Sequence, residues 1–128
     1  MHHYALLCLF VLFIGKHFIV DYALQYPYMI EQKGTYGARG GIEHAGIHGL
    51  GTLAILMLVF GWSGHNLLIA TELAIFDAVV HYHIDWAKVV INERFNWKPE
   101  SSDKFWWLLG FDQYLHALTY ILMIGMLV

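Results

Sequence analysis

Four long apolar segments constrain the fold more than any other feature of the chain. They cover residues 4–26, 42–61, 66–91 and 105–128. Each is long enough to cross a bilayer, which takes about 20 residues at a rise of about 1.5 Å per residue. Hydrophobic residues make up 59% of the chain and charged residues 13%, and the charged share is about half that of soluble domains. We therefore predict an all-α integral membrane protein, a four-helix bundle that forms one transmembrane domain over residues 1–128.

The positions of the basic residues predict an orientation. Lys33 and Arg39 lie in the first connection, Arg94, Lys98 and Lys104 lie in the third, and the second connection and both termini contain neither Lys nor Arg. The positive-inside rule then places the first and third connections in the cytoplasm and both termini outside. We expect a multi-pass protein of the inner (cytoplasmic) membrane, with the lipid bilayer as its main partner. The net charge of −3 argues against a nucleic-acid partner, and a homodimer is left open.

Each apolar segment carries one pair of ionisable residues four positions apart. That spacing places both side chains on one helix face, one turn apart. The predicted topology brings all four pairs to the cytoplasmic half of the bundle. The pairs are His17/Asp21, His44/His48, His81/Asp85 and Asp112/His116.

The two halves of the chain are similar around these pairs. The segment 17–23 aligns with 81–87 at an offset of 64, and the segment 44–50 aligns with 112–118 at an offset of 68. This internal repeat predicts two helical hairpins of the same orientation, related by a pseudo-twofold axis along the membrane normal.

The residue types in the pairs predict a metal site. A carboxylate at the centre of a membrane helix costs about 2.5–3.5 kcal/mol on insertion scales, and we expect only Lys16 and Lys88 to lie near the three Asp residues. One or two divalent ions would balance that charge. Imidazole and carboxylate together suit Zn best, with Mn or Fe as alternatives. The predicted ligands are His17, Asp21, His44, His48, His81, Asp85, Asp112 and His116.

Several residues outside the pairs have predicted roles as well. Asp77 continues the helix face of His81 and could be a ligand, a hydrogen-bond acceptor for His81 or a general base. Four further residues are predicted to contact the substrate. For two of them, Gln25 and Lys88, the alternative is that the side chain snorkels to the membrane interface. These four are Lys33, Gln25, Lys88 and Gln113.

The same residues resemble a known family. The series His17-x3-Asp21-x3-Gln25, Lys33, His44-x3-His48, His81-x3-Asp85-x2-Lys88 and Asp112-Gln113-x2-His116 is similar to the bacterial and phage membrane family called domain of unknown function 3307. The likeness covers nearly the whole chain, and the family name implies no activity. A more distant likeness, to small membrane-bound metal-dependent hydrolases, is one of fold alone.

We therefore expect a metal-dependent hydrolase that acts on an amphiphilic, lipid-linked or phosphorylated substrate at the cytoplasmic side. A divalent ion would lower the pKa of its bound water and polarise a phosphoryl or carbonyl oxygen, while Asp77 takes the proton. The alternatives are a metal or proton transport or sensing protein, and an interaction protein with a structural metal. In a haem-binding bundle, His48 and His116 would be the axial ligands, but the neighbouring Asp residues would lack a charge partner.

Overall fold

The computed structural model describes residues 3–128, and within that range it contains five helices and no strand. The all-α prediction is confirmed, and four of the helices coincide with the four apolar segments to within four residues at each end. The helices are α1 (His3–Tyr22), α2 (Pro27–Gln32), α3 (Arg39–Phe60), α4 (Gly64–Arg94) and α5 (Asp103–Gly125).

The first predicted helix is too long, because the chain turns before Pro27. A residue that precedes proline avoids the α conformation, and Tyr26 is extended, with φ −84° and ψ 156°. Helix α1 therefore ends at Tyr22. Pro27 begins the short helix α2, where the sequence predicted only a connection. Helix α2 packs on α3 so closely that a Cβ added to Gly40 would lie 2.8 Å from the carbonyl oxygen of Tyr28.

Serine caps fix the starts of the last two helices. The Ser63 hydroxyl accepts a hydrogen bond from the backbone N–H of Asn66, and Ser102 accepts one from Lys104. Such caps satisfy N–H groups that have no partner inside the helix. Helices α4 and α5 consequently start two residues earlier than predicted, at residues 64 and 103.

The four long helices form a ring. Helix α3 contacts α1 and α4, and α5 contacts the same two helices. Across the described residues the backbones of α1 and α4 do not come close to each other, nor do those of α3 and α5, so these two pairs lie on the diagonals and meet only through side chains. One end of the ring is filled by an apolar core that includes Leu9, Phe13, Leu56, Leu73 and Met123. The polar residues of all four helices therefore meet towards the other end, next to α2.

Three of the helices, α1, α3 and α4, are long and apolar enough to cross a membrane. Helix α5 has 23 residues but is more polar, since it contains Asp112, Gln113 and His116. The outward faces of the long helices are apolar, with exposed side chains such as Val11, Leu58 and Ile75. An apolar surface of this extent is typical of contact with lipid. These features indicate a membrane protein.

Candidate metal centre

Four ligand atoms from α1, α3 and α4 converge in the polar layer. Asp21, His44, His48 and His81 each offer one atom within 4.8 Å of the others. Asp21 Oδ1 lies 3.0 Å from His48 Nε2 and 3.2 Å from His44 Nε2. The Nε2 atoms of His44 and His81 are 3.2 Å apart. A tetrahedral zinc ion separates its ligand atoms by about 3.3 Å, as bonds of about 2.0–2.1 Å require. We call these four residues the first ligand set.

The close approach of α3 and α4 brings the imidazoles of this set together. Gly49 follows His48 directly, and a Cβ at Gly49 would lie only 2.8 Å from the backbone carbonyl oxygen of Ala74. A glycine therefore allows the two helix backbones to approach. As a result the rings of His48 and His81 stack with their centroids 3.5 Å apart.

The other four predicted ligands lie beside the first set. His116 Nε2 is 3.4 Å from Asp85 Oδ1 and 3.6 Å from Asp112 Oδ1. His17 Nε2 is 3.1 Å from Asp21 Oδ2, and the ligand atoms of His17, His81 and His116 lie within 4.8 Å of one another. The structure thus brings all eight predicted ligands into one layer. Their role as metal ligands remains a prediction.

The atoms of this layer that are buried without a hydrogen-bond partner among the described residues include one facing pair, Asp112 Oδ1 and His116 Nε2. An unpartnered buried polar group costs about 1–3 kcal/mol, and a cation would satisfy both atoms at once. The donor set therefore fits a divalent metal.

The surroundings of the second ring nitrogen, Nδ1, fit a metal site less well. Ligating imidazoles usually donate their second ring N–H to an acceptor. His17 has such a partner, since its Nδ1 lies 3.0 Å from the Tyr120 hydroxyl. The Nδ1 atoms of His44, His48 and His81 have no partner among the described residues, so no hydrogen bond at Nδ1 fixes the orientation of these three rings.

The expectation that only Lys16 and Lys88 lie near the candidate ligands is wrong, because Lys33 lies there as well. Lys33 Nζ lies 2.6 Å from Asp85 Oδ2, because α2 folds back onto α3 and brings the first connection to the site. Lys88 Nζ lies 3.2 Å from Asp112 Oδ2. A lysine thus accompanies each of these two carboxylates. Asp21 differs, because its side-chain partners in residues 3–128 are all imidazoles.

Asp77 lies with the third lysine, apart from the ligand sets. Its Oδ2 is 2.6 Å from Lys16 Nζ and also accepts a hydrogen bond from the Thr52 hydroxyl. The Lys16 ammonium lies 4.7 Å from the centre of the Tyr120 ring. Sequence reasoning missed Tyr120 and Thr52. The signal for both was a hydroxyl within an otherwise apolar helix half, where buried hydroxyls need partners.

The two predicted substrate-binding glutamines contact the protein itself, as the two predicted substrate-binding lysines do. Gln113 Oε1 is 3.2 Å from His17 Nε2, and its Nε2 donates to Asp112 Oδ2 at 2.9 Å. Gln25 Nε2 donates to the backbone carbonyl of Asp21. Gln113 therefore orients two of the candidate ligands.

One known family matches nearly the whole chain. The model of a family described as "Protein of unknown function (DUF3307)" matches residues 9–128, a range that includes every residue of the site. No curated protein and no solved structure shows a significant match. The chain therefore belongs to the DUF3307 family.

Proposed function

We propose that the protein is a membrane-embedded, metal-dependent hydrolase that acts on a phosphorylated amphiphile at the cytoplasmic side. The observation that carries this proposal is the convergence of three imidazole nitrogens and one carboxylate oxygen in the first ligand set. This donor set favours zinc. His81 Nε2 is 4.0 Å from Asp21 Oδ1, wider than the 3.0–3.2 Å of the neighbouring separations. A catalytic zinc site keeps a position for water or substrate, so hydrolysis would require a fifth ligand position here or one of the four side chains to stay off the ion.

A divalent ion supplies Lewis-acid chemistry, because it polarises a phosphoryl oxygen and activates water. The protein's own contribution is to fix the ligands and to exclude bulk water. Asp21 Oδ1 holds His44 and His48 in place before any ion binds. Asp77 is a weak candidate for the proton acceptor, since Lys16 and Thr52 already occupy its Oδ2.

The proposal includes α5 as a fourth membrane span and the two halves as a structural repeat. The ring of helices supports it, because α1 and α4 take equivalent places in the ring, as do α3 and α5. The low hydropathy of α5 does not oppose a span, since Asp112 and His116 are buried in the protein while Leu118 and Ile121 face outwards. Charges at membrane depth are tolerated when they face the bundle interior.

A groove between α4 and α5 supports an amphiphilic substrate. It has a volume of about 400 Å³, and its apolar lining includes Ile84, Ile91 and Leu108. Lys88 and Asp112 are the charged residues that line it. An alkyl chain fits the apolar walls, and a lysine ammonium is a common partner of phosphate. The proposed head group therefore lies beside Lys88, next to the ligand layer.

The same structure disfavours a transport function. A conduit through the bundle would have to pass the apolar core at the far end, where Leu9, Phe13, Leu56 and Met123 are buried against one another. The two charged residues nearest that core, Lys16 and Asp77, form an ion pair with each other and offer no free charge to a passing ion. A polar layer at one end of the bundle, with an apolar core at the other, suits hydrolysis better than passage.

The proposal is tested on protein purified in detergent and loaded with Zn²⁺. We expect bound zinc by elemental analysis, and release of inorganic phosphate from phosphatidic acid in mixed micelles. His48→Ala removes a buried ligand and should lower zinc content and phosphate release at least tenfold. The matched control is His65→Ala, because His65 is exposed at the start of α4. Equal losses in both variants, or protein that binds no zinc, would contradict the metal site.

A further inference from the structure

Asp21 and Asp85 each present their two oxygens to different histidines. Asp21 Oδ1 contacts His48 at 3.0 Å, while Asp21 Oδ2 contacts His17 at 3.1 Å. Asp85 Oδ2 lies 3.3 Å from His81, and Asp85 Oδ1 lies 3.4 Å from His116. A carboxylate has about four lone-pair positions on its two oxygens, so each Asp can serve two cations at once. Both carboxylates are therefore in the position of bridges, and at Asp85 the bridging Oδ2 is shared with Lys33 Nζ, which lies 2.6 Å away.

When the two repeat offsets are applied to the first ligand set, they define a second set of four residues. An offset of 64 relates Asp21 to Asp85 and His17 to His81. An offset of 68 relates the two ionisable residues of α3 to those of α5. The second ligand set is accordingly His17, Asp85, Asp112 and His116, each the counterpart of one member of the first set. Each set takes one histidine from the other half of the chain.

Three members of the second set converge in the structure, since Asp85, Asp112 and His116 offer ligand atoms within 4.8 Å of one another, and His17 joins them through His116. In this set His116 Nε2 and Asp112 Oδ1 are 3.6 Å apart, and both are buried without a hydrogen-bond partner in the described chain. In the first set, by contrast, Asp21 accepts from His48. The two unsatisfied atoms thus lie where the repeat predicts ligands.

We propose that the layer holds two divalent ions, one in each ligand set, bridged by Asp21 and Asp85. Such pairs lie about 3.5–4 Å apart and clamp the attacking and leaving oxygens of a phosphoryl transfer. This inference rests on the proposed function and deepens it, since it assigns a phosphoryl-transfer geometry to the same site. The second set has one more carboxylate than the first, with Asp112 in the place of His44, and so favours Mn or Fe more than the first set does.

Charge predicts that the two ions bind with different affinities. Lysines pair with Asp77, Asp85 and Asp112. Asp21 is the carboxylate of the layer without a lysine partner among the described residues, so we expect the first ion to bind there. The second ion adds two positive charges to a layer that already contains Lys33 and Lys88. It should therefore bind at least tenfold more weakly, and an anionic substrate should strengthen its binding.

The test is a Mn²⁺ titration of the full-length protein in detergent, followed by electron paramagnetic resonance and elemental analysis. We expect two equivalents in two phases and an exchange-coupled spectrum at saturation. Asp112→Asn should remove the weaker phase and the coupling, and leave one equivalent. His44→Gln, at the related position of the first set, should remove the tighter phase. His65→Ala should change neither.

A further variant guards against a folding defect. Asp112→His gives the second set the composition of the first, so it should retain two coupled ions and raise the affinity for Zn²⁺ over Mn²⁺. Saturation of the wild type at one equivalent, or two ions without coupling, overturns the dinuclear site but leaves the first site intact. A protein that binds no Mn²⁺ and no Zn²⁺ at all refutes the proposed function as well.

Discussion

At the scale of single residues, the buried pair of Lys16 and Asp77 allows a test of membrane-core electrostatics. The Lys16→Met variant leaves the Asp77 carboxylate without its cation, and loss of one member of a buried ion pair costs about 3–5 kcal/mol. We expect a fall of that size in the free energy of unfolding, measured by denaturant titration in detergent micelles.

The double variant Lys16→Met/Asp77→Leu is the companion experiment. It removes both charges, so most of the lost stability should return. Arg39→Ala is the control, because Arg39 pairs with Glu43 on the surface and should contribute little. If the single and double variants are equally unstable, packing of the lysine stem against Gly51 matters more than its charge.

The candidate ligands were predictable residue by residue, whereas their partners were not. The i, i+4 spacing alone put each ionisable pair on one helix face, and helix direction put the four pairs at one depth. Lys33 could not be placed in the same way, because its contact with Asp85 depends on the turn before Pro27 and on the path of α2. The hydroxyl of Tyr120 on α5 contacts His17 on the neighbouring helix α1, and a contact between two helices cannot be predicted from a local sequence pattern.

At the scale of helices, Gly49 sets the distance between α3 and α4. A Cβ at this position would lie 2.8 Å from the Ala74 carbonyl oxygen, which is backbone and cannot turn away. Gly49→Ala should therefore separate the two helices, lower the thermal midpoint in detergent by several degrees and weaken metal binding.

Gly46 provides the matched control on the same helix. An added Cβ at Gly46 meets no atom within 4 Å, so Gly46→Ala should leave both the thermal midpoint and the metal content near those of the wild type. An equal effect of the two substitutions would attribute the change to helix propensity and not to the close approach of the backbones.

At the scale of the whole molecule, apolar length predicted the long helices well, because each is stabilised by its own hydrogen bonds and by lipid on its outer face. Three of the four meet the criteria of length and hydropathy for a membrane span, and α5 does not. The polar residues of α5 are those that the bundle buries, and burial depends on neighbouring helices. A hydropathy average does not distinguish residues that face the bundle interior from residues that face lipid. A labelling experiment decides whether α5 crosses the bilayer.

Single cysteines introduced into a Cys8→Ala background provide that measurement. The positions are Trp62, in the connection between α3 and α4, Ser101, in the basic connection between α4 and α5, and Val128, beyond the end of α5. With the proposed topology, an impermeant thiol reagent added to intact spheroplasts should label cysteines at 62 and 128, and should label 101 only after permeabilisation. Labelling of 101 and 128 from the same side would show that α5 does not cross the bilayer. Asp112 and His116 would then approach the ligand layer from the membrane surface, and the second ligand set would lose the buried position on which its metal affinity depends.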